Sequence, residues 1–134
     1  MKVVIMGCGR VGSRLAMLLD SEGHQVTVID TTSRAFRRLG SDFKGTTILG
    51  TGIDEDVLRR GGTDSADIFV ATTEGDNRNL MAAQVAQKVF NVPVVVARTY
   101  DVGRAKVFAE LGVRTYCPTL LGAQYLHDLI LGEQ

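Results

Sequence analysis

The sequence predicts an α/β domain built on one doubly wound parallel sheet of six strands in the order 3-2-1-4-5-6. Two observations carry that expectation. Short apolar runs alternate with helical stretches along the whole chain, and no linker, repeat or low-complexity tract interrupts them. The first run also opens directly into the glycine fingerprint Gly7-Cys8-Gly9-Arg10-Val11-Gly12, between a strand and a helix, where such a fingerprint has mechanical work to do.

Taken in order, Lys2-Val3-Val4-Ile5-Met6 forms the first strand. Gly7 allows a tight turn off it, and Gly9 lets backbone approach a pyrophosphate with no Cβ in the way. Gly12 lets the next helix, Ser13 to Leu19, pack closely on the sheet. That helix begins with unpaired N–H groups and the positive end of its dipole, which favour an anion. Gln25-Val26-Thr27-Val28-Ile29 is the second strand. It ends at Asp30, eighteen positions after Gly12, where a carboxylate is placed to accept hydrogen bonds from ribose hydroxyls. Ser33 to Leu39 reads as a short helix capped by Thr32 or Ser33.

Thr46-Thr47-Ile48-Leu49 is the third strand, closed by Gly50-Thr51-Gly52, and a helix from Asp54 to Arg60 stops at Gly61-Gly62. Asp67 to Ala71 is the fourth strand and gives way to the polar loop Thr72-Thr73-Glu74-Gly75-Asp76-Asn77. Leu80 to Phe90 is an amphipathic helix with Ala83, Val85, Ala86 and Val89 on its apolar side. The β-branched run Val94-Val95-Val96-Ala97 suits a strand buried on both faces. A helix from Val102 to Leu111 ends at Gly112, Val113 to Tyr116 is the sixth strand, and Leu120 to Leu131 is the last helix. The whole reads as a single Rossmann-like domain.

Composition sets limits. A chain of 134 residues suits one domain that buries about two-thirds of its unfolded surface. Fifteen basic and fifteen acidic side chains give a formal net charge of zero, so no basic stripe points to duplex nucleic acid. No signal peptide is legible at the N-terminus, and no stretch approaches the about 20 apolar residues of a membrane span. The expectation is a soluble, cytoplasmic chain. The two cysteines lack CxxC spacing, so neither a zinc site nor a disulfide framework is indicated, and Cys8 reads as a small filler of the glycine loop ahead of a redox group.

In the predicted strand order the ligand crevice falls outside the carboxyl ends of the first and fourth strands. Gly7 to Gly12, Asp30-Thr31, Gly50 to Gly52 and Thr72 to Asn77 meet there, with Arg98-Thr99 one strand further out. Arg98 at a strand end is placed to grip phosphate oxygens; its alternative is an ordinary surface pair with Asp101. Asp30 disfavours a 2′-phosphate and hence NADP, and leaves NAD and mononucleotides undistinguished.

Further residues match a known pattern. Val28-Ile29-Asp30, Gly50-Thr51-Gly52-Ile53-Asp54 with Val57-Leu58, Ala66-Asp67, Thr72, Asp76-Asn77 with Asn79, Ala97-Arg98 and Leu111-Gly112-Val113 follow the fingerprint in order. With them the chain resembles the RCK N-terminal domain, the Trk-type NAD-binding domain of bacterial potassium uptake regulators. The resemblance implies a regulatory domain over residues 1–134 that binds NAD(H) or ADP/ATP, with AMP also in range. No catalytic turnover is expected of the chain, and no metal is expected because Thr119 stands where some relatives place an acidic residue near the terminal phosphates and a metal. The state of the domain would pass to a membrane potassium transporter subunit, with the protein cytoplasmic and peripheral to the inner face of the membrane. Segment 119–134 would be a helix crossing to a partner in a homodimer or higher ring.

The cofactor-binding set so implied is Gly7, Cys8, Gly9, Arg10, Val11, Gly12, Asp30, Thr31, Gly50, Thr51, Gly52, Thr72, Thr73, Asn77 and Arg98. Asp30 would hold the adenosine ribose, the Gly50-Thr51-Gly52 loop would border adenine, and Arg98 would contact phosphate. Two positions depart from the family: Thr51 stands where an aspartate is usual, and Thr119 where some relatives place an acidic residue after the proline. A rival reading is a fragment of an NAD-dependent oxidoreductase, which needs a positioned acid or base. His24 falls at the amino end of the sheet and His127 on the last helix, so neither suits that role. A third reading is an interaction module in which the glycines serve only packing.

Overall fold

The structure is a computed structural model and describes residues 1–132. Six strands pair in parallel: β1 (Lys2–Met6), β2 (Gln25–Asp30), β3 (Thr46–Leu49), β4 (Ile68–Ala71), β5 (Val94–Arg98) and β6 (Arg114–Tyr116). Their order is β3-β2-β1-β4-β5-β6, as predicted. The helices are α1 (Arg10–Ser21), α2 (Glu55–Arg60), α3 (Asp76–Lys88), α4 (Val102–Glu110) and α5 (Pro118–Leu131). Two 3₁₀ helices, Ser33–Leu39 and Thr63–Ser65, complete the connections. The predicted Ser33 to Leu39 helix is therefore of the tighter kind. Thr32 stands at its N-cap position, but its side chain makes no capping bond. Glu133 and Gln134, the end of the predicted crossing segment, lie outside the described residues.

Successive side chains of a strand point to opposite faces, and β1 feeds two cores. Val3 and Ile5 join Val26, Val28 and Val70 against Ala16 of α1 and Ala35 and Leu39 of the first 3₁₀ helix. Val4 and Met6 join Ile29, Phe69, Val95 and Ala97 against Leu58 of α2, Ala82, Ala83 and Ala86 of α3, and Phe108 of α4. β5 does not meet the expectation of burial on both faces. Val95 and Ala97 are buried, whereas Val94 and Val96 are only half-buried. Val96 packs at the edge of the core that Val3 and Ile5 enter, and α5 buries none of its side chains.

α3 starts at Asp76, four residues before the predicted Leu80, and its buried stripe is Asn79, Ala82, Ala83 and Ala86. Val85 packs at the edge of the core, and Val89, beyond the last turn, is 46% exposed. An amide thus occupies the position that apolar periodicity assigns to a hydrophobe. No helix among the described residues is long and apolar enough to cross a membrane.

Candidate functional site

β1 and β4 are neighbours, yet their chains leave in opposite directions, β1 toward β2 and β4 toward β5. Outside their carboxyl ends lies a crevice of about 1250 Å³. Gly7 turns off β1 with φ +106°, a conformation open to glycine, and its N–H donates to the Ile29 carbonyl at 2.7 Å. A Cβ on Gly12 would overlap the Gly7 carbonyl oxygen, so the first turn of α1 can sit this close to the sheet only with glycine there. Gly9, the N-cap of α1, has open space where its Cβ would be, and no side chain caps the helix. The first N–H groups of α1 have no intrahelical acceptor, and they face the crevice through Gly9, Arg10 and Val11.

Asp30 closes the loop from the side. One carboxylate oxygen accepts the Cys8 N–H at 2.8 Å and the other accepts the Thr32 N–H at 2.8 Å. The Cys8 thiol is fully buried and donates to the Ala35 carbonyl at 3.3 Å. Burial, and then the Asp30 charge, push this thiol up to about 11, with Arg38 acting the other way. Cys8 therefore stays protonated at neutral pH, which is the chemistry of a filler and not of a redox nucleophile.

The far side is built on carbonyl oxygens. Thr72 is buried and its hydroxyl lies 3.1 Å from the Met6 carbonyl and 3.2 Å from that of Gly7, so it staples β4 to the glycine loop. Buried Asn79 accepts the Thr73 N–H and hydroxyl and donates to the Thr73 and Arg98 carbonyls. Arg98 donates through Nε and Nη2 to the same Thr73 carbonyl, at 3.1 and 2.7 Å, and stacks on the Tyr100 ring at 4.8 Å. The anticipated alternative, a pair with Asp101, does not form. Asp101 instead caps α4 at the Gly103 N–H and pairs with Arg104.

The structure brings most of the predicted residues to one place. Gly7, Cys8, Gly9, Arg10, Val11, Asp30, Thr31, Gly50, Thr51, Gly52, Thr72, Thr73 and Arg98 all line the crevice. Gly12 lies beneath it, against Gly7 and Thr72. Gly52 is needed because a Cβ there would run into the Met6 side chain. Asn77 is outside the lining and accepts a hydrogen bond from Arg104. Next to it, Asp76 is worked upon by opposing effects. Burial disfavours its charge, but the Tyr100 N–H, Thr99 hydroxyl and Asp101 N–H, with the Arg104 charge, hold its carboxyl below the ordinary aspartate value.

What sequence reading missed is the charge of the walls. It placed two arginines in the crevice, Arg10 and Arg98, and the structure adds four more there: Arg34, Arg37, Arg38 and Arg78. Against them stand two carboxylates, Asp30 and Glu74. Among the described residues none of the six forms an ion pair within the protein. Six of fifteen basic residues in a chain of zero net charge therefore converge on one cavity. Among the described residues, no group of three His, Cys, Asp or Glu side chains is placed to hold a metal ion.

A doubly wound parallel sheet with a glycine loop at its switch point defines a Rossmann-like domain. The chain belongs to the TrkA-N domain family, whose model matches residues 3–117. The match ends one residue before α5. The Trk system potassium uptake protein TrkA of Streptomyces coelicolor is 47% identical over 131 residues, 98% of this chain. The chain spans 57% of that relative's length. Among solved structures, the Kef C-terminal domain of Shewanella denitrificans in its AMP-bound form superposes with a TM-score of 0.83 at 24% identity. It is matched over 100% of this chain and 83% of its own. The GsuK channel bound to NAD superposes with a TM-score of 0.80 at 22% identity, over 96% of this chain and 23% of its own.

Proposed function

We propose that this chain is the nucleotide-sensing regulatory domain of a potassium uptake system. It binds an adenine nucleotide, NAD(H) or ADP/ATP with AMP also accommodated, and passes its state to a membrane potassium transporter subunit at the inner face of the membrane. The observation that carries the reading is the crevice itself, where uncapped N–H groups, an open Gly9 and six arginines favour phosphate. Family membership and the fold neighbours solved with AMP and NAD support it. In this reading Asp30 holds the adenosine ribose, Thr31 and the Gly50-Thr51-Gly52 loop border the base, and the glycine loop takes the first phosphate. Thr73 and Arg98 meet what lies beyond it. Thr72 supports the floor, and Asn77 acts from outside the lining, through Arg104.

Turnover is no part of this function. His24 bonds the N-terminal amine and His127 bonds Asp128, both away from the crevice. Titration calorimetry with NADH, NAD, ATP, ADP and AMP tests the assignment, and silence toward all five rejects it. Steady NADH formation with candidate alcohols, or phosphate release from ATP above that of a Gly9→Asp control, rejects the non-catalytic reading.

Arg98 separates a sensor from a plain binding domain. It rests on a neutral carbonyl, so a phosphate offers it a stronger, charge-assisted partner. Arg98→Ala is expected to lower affinity for ADP, ATP and NAD by about tenfold or more, the loss of one contact of ~1.5–3 kcal/mol, and to affect AMP less. Equal losses for AMP and ATP would remove the sensor role.

The same reading makes α5 an assembly element. Leu121, Tyr125, Leu126, Leu129, Ile130 and Leu131 are 52–78% exposed on one helix, a larger apolar surface than a lone domain keeps in water. A symmetric homodimer, alone or within a higher ring, covers it, with Leu126 and Ile130 in the contact. Light scattering at high micromolar concentration should report the dimer, and Ile130→Asp should dissociate it. A monomer in the unaltered chain overturns this assignment.

A further inference from the structure

α5 is loosely joined to the rest of the chain. It buries none of its side chains, and its N-cap residue, Cys117, makes no side-chain bond to the helix. Gln124 and His127 both bond Asp128, within the same helix. Among the described residues a single side-chain hydrogen bond fastens α5 to another part of the fold: the Thr119 hydroxyl donates to the Tyr100 carbonyl at 3.2 Å. α5 carries the proposed dimer contact, so its angle to the sheet sets how two copies meet.

The anchor of that bond is a junction. The Tyr100 carbonyl and the Asp101 N–H belong to one peptide unit, and that N–H donates to the Asp76 carboxylate at 3.3 Å. The Tyr100 N–H and the Thr99 hydroxyl reach the same carboxylate at 3.0 Å each. Asp76 is the first residue of α3, so one peptide plane joins the starts of α3 and α5. The Tyr100 side chain, 45% exposed, adds a third partner, since Arg98 lies over its ring. Arg98, Tyr100, Tyr116 and Pro118 all line the crevice, and the wall there is the junction itself.

We propose that Tyr100 and Thr119 are positioning residues that set the angle of α5 by where the Arg98 guanidinium lies, on the Tyr100 ring or on a phosphate. This rests on the adenine-nucleotide reading and deepens it, by giving the route from the ligand to the assembly helix. Arg98 is held by neutral groups alone, the Thr73 carbonyl and the Tyr100 ring. A charge-assisted bond is stronger than either, so a phosphate within reach draws the guanidinium off the ring. With Arg98 over the ring, Tyr100 is fixed and its carbonyl holds Thr119. With Arg98 on a phosphate, the ring is free to change rotamer. The Tyr100–Asp101 peptide then tilts about its Asp76 bond, and the Thr119 bond opens. AMP, whose one phosphate belongs on the glycine loop, leaves Arg98 in place. Neither Tyr100 nor Thr119 needs to touch the ligand, because both act through Arg98.

Amide hydrogen exchange on the whole chain tests the route. It is read by mass spectrometry on the peptide spanning the first turn of α5, where the Leu121 N–H bonds the Cys117 carbonyl. Saturating ADP is expected to speed exchange there by about fivefold, the effect of losing one neutral hydrogen bond, and saturating AMP to change it by less than about twofold. Thr119 is exposed, so Thr119→Val leaves the core untouched. That variant should exchange fast without ligand, respond no further to ADP, and bind ADP within about threefold of the original affinity by calorimetry. Thr119→Ser keeps the hydroxyl and should restore the response, and Tyr100→Leu should abolish it at saturating ADP. An unaltered chain that binds ADP with no faster exchange at α5 overturns the route while the nucleotide reading stands. So does an equal response to AMP, a response that survives in Thr119→Val or Tyr100→Leu, or a serine variant that behaves like the valine one. Failure of both ADP and AMP to bind overturns the route and the nucleotide reading together.

Discussion

Asp30→Ala is expected to damage the fold and the ligand site together. The carboxylate joins the end of β2 to the glycine loop through the Cys8 N–H and to the next segment through the Thr32 N–H. Hydrogen bonds to a charged partner contribute about 1.5–3 kcal/mol each, and this residue is partly exposed, so the lower end applies. Urea unfolding should therefore show a loss of about 2 kcal/mol or more, a large share of the 5–15 kcal/mol typical of a domain. The Cys8 N–H left without its acceptor lets the glycine loop move, and nucleotide affinity should fall by more than the ribose contact alone explains. Asp30→Asn keeps a single acceptor oxygen and should lie between the two. Unchanged stability in the alanine variant would dissolve the stitch, and unchanged nucleotide affinity would dissolve the ribose assignment.

The glycines at positions 9 and 12 are expected to fail in opposite ways. Gly12→Ala places a methyl group against the Gly7 carbonyl oxygen and the Thr72 hydroxyl, both fixed by the fold. Overpacking of that kind costs about 1–3 kcal/mol, and α1 must shift away from the sheet to relieve it. Gly9→Ala meets nothing in the protein and keeps a negative φ, so thermal unfolding should be almost unchanged. Its methyl group stands instead where a phosphate must approach, and nucleotide binding should fall at least tenfold, about 1.4 kcal/mol. A Gly9→Ala chain that binds as well as the original would place the ligand elsewhere in the crevice. A Gly12→Ala chain of full stability would mean that α1 packs more loosely than its glycine suggests.

The strand order was legible because its evidence is local. Each strand is a short apolar run, and β1 announces itself as central by carrying hydrophobes at every position from Val3 to Met6. The helix starts were harder to read for a definite reason. α1 and α3 begin at Gly9 and Gly75, and neither glycine offers a side chain to cap the first turn. The usual serine, threonine or aspartate signal is missing, so Arg10 and Asp76 read as loop. Where an aspartate does cap, as at Asp54 and Asp101, the reading fell within one residue.

The crevice was legible in its backbone and illegible in its charge. Gly7, Asp30 and Thr73 are placed by strand ends, which alternation reveals. Arg34 and Arg37 look in the sequence like the solvated face of a short helix, and only the packing of Ala35 and Leu39 on the sheet turns them into a wall. Asn79 entered only as a residue of the family pattern, and its bridging role escaped for a related cause. A hydrophobic period registers apolar positions, and an amide at the head of the buried stripe is invisible until its partners, Thr73 and the Arg98 carbonyl, are brought from elsewhere in the chain. The partner of Arg98 lies 25 residues away across a strand crossover, so no local pattern could have chosen it over Asp101.

The excess of positive charge in the crevice also bears on time. Six guanidinium groups against two carboxylates, with no ion pair among the described residues, leave a net positive field, and a cleft with low-dielectric walls focuses it outward through the mouth. An anion is then drawn in from beyond contact distance, and its encounter rate rises above that of a neutral molecule of equal size. The acceleration reaches only as far as the Debye length, about 8 Å in 0.15 M salt. Association should accordingly slow as ionic strength rises, while the lifetime of the bound state, set by short contacts inside the cavity, changes far less. The speed with which such a domain registers its ligand is written in the arginines around the opening, and the duration of the signal in the glycine loop beneath them.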